Sequence, residues 1–169
     1  LLCCQTRVLQ KEEGRIKDTT DIRTFGAYLS FHGGETIPSV SWLCREKALH
    51  LTDNRIPCIL GAGYAGSKTY WDKLKGFQGL VHYGCEELYV SLKAWLEGGG
   101  CRLVPEVEIG HIYKDRFSYT VYPSQILYNY LFVAEVLFPT SLKCKTFALA
   151  WLRNGDAYGK ALKWMEWYK

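Results

Sequence analysis

The chain has 169 residues, 48% of them hydrophobic and 22% charged, and its formal net charge is +4. That length is one domain, large enough to bury a core without disulfide staples. The basic residues form no long run, which argues against a nucleic-acid-binding surface.

In chain order, residues 6–9 (Thr6-Arg7-Val8-Leu9) predict a short strand, and the polar stretch 11–21 predicts an exposed loop. Residues 25–31 are aromatic around Gly26 and predict an edge strand or hairpin arm, followed by a turn at His32-Gly33-Gly34-Glu35. Residues 56–65 are apolar, small and punctuated by glycine, the pattern of a buried strand whose backbone is closely approached. Ser67 predicts an N-cap, with a helix over 68–75 that Gly76 ends. A loop over 79–85 leads to a second helix over 86–97, whose apolar face is Leu88, Leu92, Trp95 and Leu96. Gly98-Gly99-Gly100 stops that helix. Residues 101–109 predict a strand, which Gly110-His111-Ile112-Tyr113 continues or replaces with a new one. A polar and aromatic loop spans 114–123, and helices follow over 124–138, 141–153 and 156–168.

The seven cysteines show no C-x-x-C spacing. They predict reduced, mostly buried thiols in a cytosolic protein rather than a zinc module or a disulfide framework. Residues 128–138 are the most apolar late stretch, too short to span a bilayer and interrupted by Asn129 and Glu135. Aromatic residues reach 15%, with six Trp and twelve Tyr, a supply that suits either sugar faces or an ordinary core.

Three features carry candidate chemistry. Glu86 and Glu87 stand together after a glycine turn at a helix start. There they either compensate the helix dipole or offer a general base and a hydroxyl clamp to a cleft. His111, in an apolar strand, is either a structural histidine or a ligand for a divalent metal. The small residues Gly61, Ala62 and Gly63 allow close approach to the backbone.

As one string, Gly61-Ala62-Gly63-Tyr64-Ala65-Gly66-Ser67, a helix, Tyr83-Gly84-Cys85-Glu86-Glu87, a second helix with Trp95, a glycine stop, and a strand with Gly110-His111-Ile112-Tyr113-Lys114 resembles GT-A-fold glycosyltransferases. The pattern is similar to the polypeptide N-acetylgalactosaminyltransferases, the β-1,4-galactosyltransferases and the bacterial family 2 glycosyltransferases. It covers residues 56–119 best. In those families a W-G-G-E-[ND] motif opens the second helix and a G-H-x-[FY]-[RK] strand follows.

The resemblance implies an α/β fold: a partial GT-A fold with a mixed sheet, flanking helices and a helical C-terminal segment. Residues 1–125 are the acceptor-side half of the domain and 126–169 the helical extension. The implied activity is metal-dependent transfer of a hexose from a UDP-linked nucleotide-sugar donor to a saccharide or other hydroxyl acceptor. His111 matches the ligand of a divalent metal, Mn²⁺ or in its place Mg²⁺. Glu86 matches the motif glutamate that contacts acceptor or donor. Glu87 matches the position that is the catalytic Asp base in inverting relatives and Asn in retaining ones. Gly61, Ala62 and Gly63 match the small-residue strand under the donor sugar, with Tyr83 and Gly84 in the motif. Trp95 matches a tryptophan near the donor, and Lys114 and Tyr119 a loop that closes over the diphosphate.

The sequence departs from the pattern at Tyr83, in place of Trp, at Cys85, in place of Gly, and at Ala62, in place of the second Gly. No D-x-D or D-x-H occurs. The expectation is therefore a fragment beginning at Leu1 shortly after that motif. The other readings are a non-catalytic carbohydrate- or partner-binding domain and a zinc module. The C-terminal helices, with Trp151, Trp164 and Trp167 among Lys143, Lys145, Arg153, Lys160, Lys163 and Lys169, either pack on the core or make peripheral contact with a membrane.

Overall fold

The computed structural model describes residues 1–30, 39–44, 52–112 and 117–167. The predicted turn at 32–35, Tyr113, Lys114, Tyr168 and Lys169 lie outside them.

The fold is mixed α/β, and a parallel pair of long strands forms its spine. Strand β1 (Leu2–Glu12) lies beside β7 (Cys101–Ile112), and β2 (Arg15–Thr24) pairs antiparallel with the outer edge of β1. Short strands β5 (Arg55–Ile56) and β6 (Tyr64–Ala65) complete a five-stranded mixed sheet, bordering β7 and β1 respectively. In the β1–β7 register, Cys4 faces Val104 but Gln5 faces Glu108, so β7 bulges around Pro105. A proline cannot donate to a ladder, and a bulge is where a strand tolerates one. The Gln5 side-chain amide donates to the Pro105 carbonyl there.

Residues 11–21, expected as a loop, are instead the two arms of a hairpin. Glu13 and Gly14 both have positive φ, 48° and 78°, which is the geometry of a tight two-residue hairpin turn. Ion pairs Arg7–Asp18, Lys17–Glu12 and Arg23–Glu108 cover this exposed ribbon. Its polarity reflects solvent on both faces, not irregular backbone. Strands β3 (Ala27–Ser30) and β4 (Ser39–Trp42) make a separate hairpin, as the aromatic arm predicted.

Helix α1 (Lys68–Leu74) has the expected cap: the Ser67 hydroxyl accepts the Tyr70 N–H at 3.2 Å. Helix α2 (Glu86–Leu96) also lies where expected, but turned about its axis. Of the expected face, Leu88 is buried and Leu92 packs half-buried on the core, but Val90, Ser91 and Ala94 are buried beside them while Leu96 is 69% exposed and Trp95 37%. Helices α3 (Pro123–Leu137), α4 (Thr140–Arg153) and α5 (Gly155–Trp167) match the predicted C-terminal helices to within two residues. All seven cysteines are free. No helix among the described residues is long and apolar enough to cross a membrane.

The segment 57–61 shows why α2 turns the way it does. Ile56, Cys58, Ile59 and Leu60 are buried as expected, but the predicted strand over 56–65 is broken into β5, an isolated bridge from Cys58 to Ala27, and β6. The backbone in between is paired with helix side chains. The Trp95 indole N–H donates to the Pro57 carbonyl at 2.9 Å, the Ile59 N–H donates to the Ser91 hydroxyl at 3.1 Å, and the Glu87 carboxylate packs against Gly61. Positions 87, 91 and 95 lie on one stripe of α2 and meet every second residue of an extended segment running the opposite way. Eight helical residues rise about 12 Å and four extended ones about 13 Å, so the spacings match. The helix stripe replaces a neighbouring strand.

Removing one rung tests this arrangement. Ser91→Ala leaves the buried Ile59 N–H without its acceptor. It is expected to cost about 1–3 kcal/mol, lowering the thermal midpoint by about 2–12 °C for a chain of this length. Trp95→Phe, at the half-exposed end of the stripe, is expected to cost less. Thermal and urea unfolding of both variants checks the order.

Candidate active site

A cavity of about 620 Å³ opens where the segment 57–64, the start of α2 and the end of β7 meet. This is the size of a site for a small organic ligand. Ile59, Leu60, Gly61, Ala62, Tyr64 and Phe77 line one part of it, and Trp42 reaches it from β4. Tyr83, Glu86 and Glu87 come from the turn into α2, His111 and Ile112 from the end of β7, and Phe117, Ser118 and Tyr119 from the loop beyond.

The two carboxylates do different work. The Gly84 N–H donates to both Glu86 oxygens, at 3.0 and 2.9 Å, so Glu86 closes its own turn while facing the cavity. Glu87 reaches the cavity floor, where its carboxylate lies so close to Gly61 that a Cβ there would overlap it. That close approach is one physical reason for a residue without a side chain at 61. Burial pushes the Glu87 carboxyl above the ordinary value, and the nearby Glu86 charge adds to this. Hydrogen bonds from its own N–H and from Gly61 pull the other way. In its ionised form such a carboxyl is a stronger proton acceptor than a solvated one.

Three aromatic rings stand at the mouth. Tyr83 meets Phe117 edge-on at 4.8 Å and Tyr119 at 6.1 Å, and Phe117 lies 5.7 Å from Tyr119. They are 39%, 55% and 54% exposed, unusual for rings that pack on one another. Burial, then the Glu87 and Glu86 charges, raise the Tyr83 hydroxyl pKa, so it stays a neutral donor at the cavity.

The expected site residues divide accordingly. Gly61, Ala62, Tyr83, Glu86, Glu87, His111 and Tyr119 share the cavity. Gly63 does not line it: a Cβ there would strike Ile109 and, at 2.6 Å, the Cys4 sulfur, so its smallness serves strand packing. Gly84 forms the turn behind Tyr83, with φ 106°. Trp95 sits eight residues beyond Glu87 on α2, against Pro57 and away from the cavity, with its ring under Gly100. Phe117 lies within the loop that carries Lys114 and Tyr119, and Tyr64 lies inside the glycine-rich string. Phe77 and Trp42 are brought in by tertiary packing and carry no local signal.

Among the described residues no three His, Cys, Asp or Glu side chains converge to hold a metal. Those residues therefore do not make a metal site by themselves; the cavity offers the half-buried His111 imidazole and the two carboxylates.

Glu87 also sets a dependence of stability on pH. Its folded-state pKa lies above its unfolded one, so the unfolded chain loses this proton more readily, and Glu87 disfavours the fold once it is charged. Glu87→Gln is therefore expected to raise the unfolding midpoint at pH 7–8. The gain should shrink as pH falls through the raised pKa and vanish below about pH 4, where both side chains are neutral. Unfolding of the two proteins from pH 3 to 8 measures it.

Sequence comparison adds relatives to this geometry. No family model matches the chain. Over 82 residues, 47% of its length, it is 35% identical to the Caenorhabditis elegans protein named "Probable N-acetylgalactosaminyltransferase 8", of which that covers 20%. Polypeptide N-acetylgalactosaminyltransferase 5 of the same organism is 33% identical over 66 residues, 38% of this chain and 10% of that protein. Polypeptide N-acetylgalactosaminyltransferase 8 of Drosophila melanogaster is 32% identical over 75 residues, 43% of this chain and 13% of that protein. The chain thus spans a fifth or less of the length of these curated relatives, and over somewhat less than half of itself it resembles polypeptide N-acetylgalactosaminyltransferases.

Proposed function

We propose that this chain is the acceptor-side part of a GT-A-fold glycosyltransferase, moving a hexose from a UDP-linked donor to the hydroxyl of a saccharide or other acceptor. The observation that carries the reading is the shared cavity. It gathers Gly61, Ala62, Tyr83, Glu86, Glu87 and His111 from three separate stretches of sequence, and those are positions the sequence pattern assigns to transfer. The similarity to N-acetylgalactosaminyltransferases supports transferase chemistry and makes UDP-N-acetylgalactosamine the first donor to try.

In this reading Glu87 is the general base. The acceptor oxygen forms a bond to the anomeric carbon while its proton passes to the Glu87 carboxylate. The bond from that carbon to the diphosphate breaks, and the diphosphate leaves with the electron pair. Attack from the face opposite the leaving group inverts the anomeric centre. The small residues Gly61 and Ala62 let the sugar approach the backbone, and Tyr83, Phe117 and Tyr119 offer flat apolar faces to the C–H side of a ring. Closing those rings over the cavity would exclude water, whose attack on the donor is the competing reaction. Dependence on Mn²⁺ or Mg²⁺ belongs to the proposal as a requirement to be measured, with His111 the imidazole this cavity offers.

The exposed aromatic mouth, together with the lack of a converging metal cluster among the described residues, also fits a saccharide-binding domain without catalysis. Titration of UDP and of UDP-N-acetylgalactosamine into the full-length protein, with and without Mn²⁺, separates the two. A transferase is expected to bind UDP more tightly with Mn²⁺ and to lose that gain in His111→Ala. A binding domain is expected to hold glycans regardless of metal and of that substitution. For catalysis, Glu87→Gln is expected to lower turnover by about 10²–10⁴-fold with UDP affinity unchanged; retained turnover would remove Glu87 as the base.

A further inference from the structure

The loop that delivers Tyr83 and aims α2 has a backbone that its sequence alone would not hold. Gly79, His82, Gly84 and Cys85 all have positive φ, at 96°, 49°, 106° and 75°. Two of these are not glycine, and a left-handed conformation costs such residues free energy. Cys85 is also the residue that caps α2, and its side chain makes no capping hydrogen bond.

What holds the loop comes from α3. Asn129 is fully buried. Its amide oxygen accepts the Val81 N–H at 2.8 Å. Its amide nitrogen donates to the Val81 and Gly84 carbonyls, both at 2.8 Å, with the Tyr83 carbonyl at 3.4 Å. A carboxamide carries an acceptor and two donors on one short stem, and here both ends are used on a four-residue stretch. An aspartate would turn an acceptor toward two carbonyls. A leucine would leave one N–H and two carbonyls buried without partners. The adjacent Tyr128 hydroxyl donates to the Gly79 carbonyl at 2.9 Å, fixing the loop's other end. Asn129 does not line the cavity.

We propose that Asn129 is a positioning residue for the cavity: it sets the main chain of residues 81–84, and through it the Tyr83 ring and the direction of Glu87. Its effect on turnover rests on the glycosyltransferase reading; its effect on the loop does not.

The test uses Asn129→Asp, nearly isosteric, and Asn129→Ser, which is smaller and keeps room for water should the aspartate variant not fold. Leu103→Val in β7, whose core cluster contains no residue of the segment 79–85, is the control for general destabilisation. Two quantities are read in the full-length protein: hydrogen exchange of the segment 79–85, and UDP release from UDP-N-acetylgalactosamine with a saccharide acceptor. In the Asn129 variants exchange of that segment is expected to rise at least tenfold. Their kcat is expected to fall at least tenfold, with KM for the donor within about threefold of the parent. Leu103→Val is expected to leave both unchanged. Unaltered exchange at 79–85 overturns the proposal, as does an equal loss of kcat in Leu103→Val. A parent protein without transfer activity defeats the glycosyltransferase reading, and the exchange comparison then decides the positioning role alone.

Discussion

The pairing of one helix stripe with one extended segment is the constraint on which the cavity depends. Ser91 and Trp95 satisfy the backbone at Ile59 and Pro57, and in doing so they fix how far along and at what rotation α2 lies. Glu87 is the next position on that stripe, so the bonds that dock the helix also carry the carboxylate to Gly61. Burying Glu87 disfavours its charged form, and the rungs beside it help hold the geometry in place. Helix docking and the placement of the cavity carboxylate are therefore set by neighbouring positions of the same helix face.

The parallel β1–β7 pair supplies the second coordinate. The register that sets Val8 opposite His111 ends β7 at the cavity wall, and the Pro105 bulge is absorbed several residues earlier. His111 and Glu87 thus reach one space from opposite sides, one on a strand end and the other on a helix start. Tyr83 arrives from a third direction on a loop braced by α3. This convergence of independent elements distinguishes the cavity from a crevice between two packed helices.

Local signals in the sequence made the helices legible: Ser67 at a cap, Gly76 and Gly98 at stops, and three-four apolar spacing. The residues at 61, 62, 83, 86, 87 and 111, which share the cavity, were legible as an ordered string. Trp95 was misplaced because spacing along a helix does not reveal which way that helix is turned, and its turn is decided by hydrogen bonds to residues over thirty positions away. The strand over 56–65 was overcalled for the same reason, since an apolar run looks the same whether a strand or a helix stripe pairs its backbone. The ribbon over 11–21 was missed because polar residues on a twice-solvated hairpin resemble a loop. Asn129 stood out in the sequence only as a polar interruption of an apolar helix; its partners lie 45 to 48 residues earlier.

That separation bears on the order in which the molecule is assembled. The segment 81–84 emerges from the ribosome well before Asn129, and β1 must wait about a hundred residues for β7. Contacts between distant parts of a chain form late, because loop closure has to be completed before they contribute. The cavity is consequently among the last regions to form during synthesis. Until α3 has emerged, the Tyr83 loop and its strained turn into α2 lack the side chain that holds them.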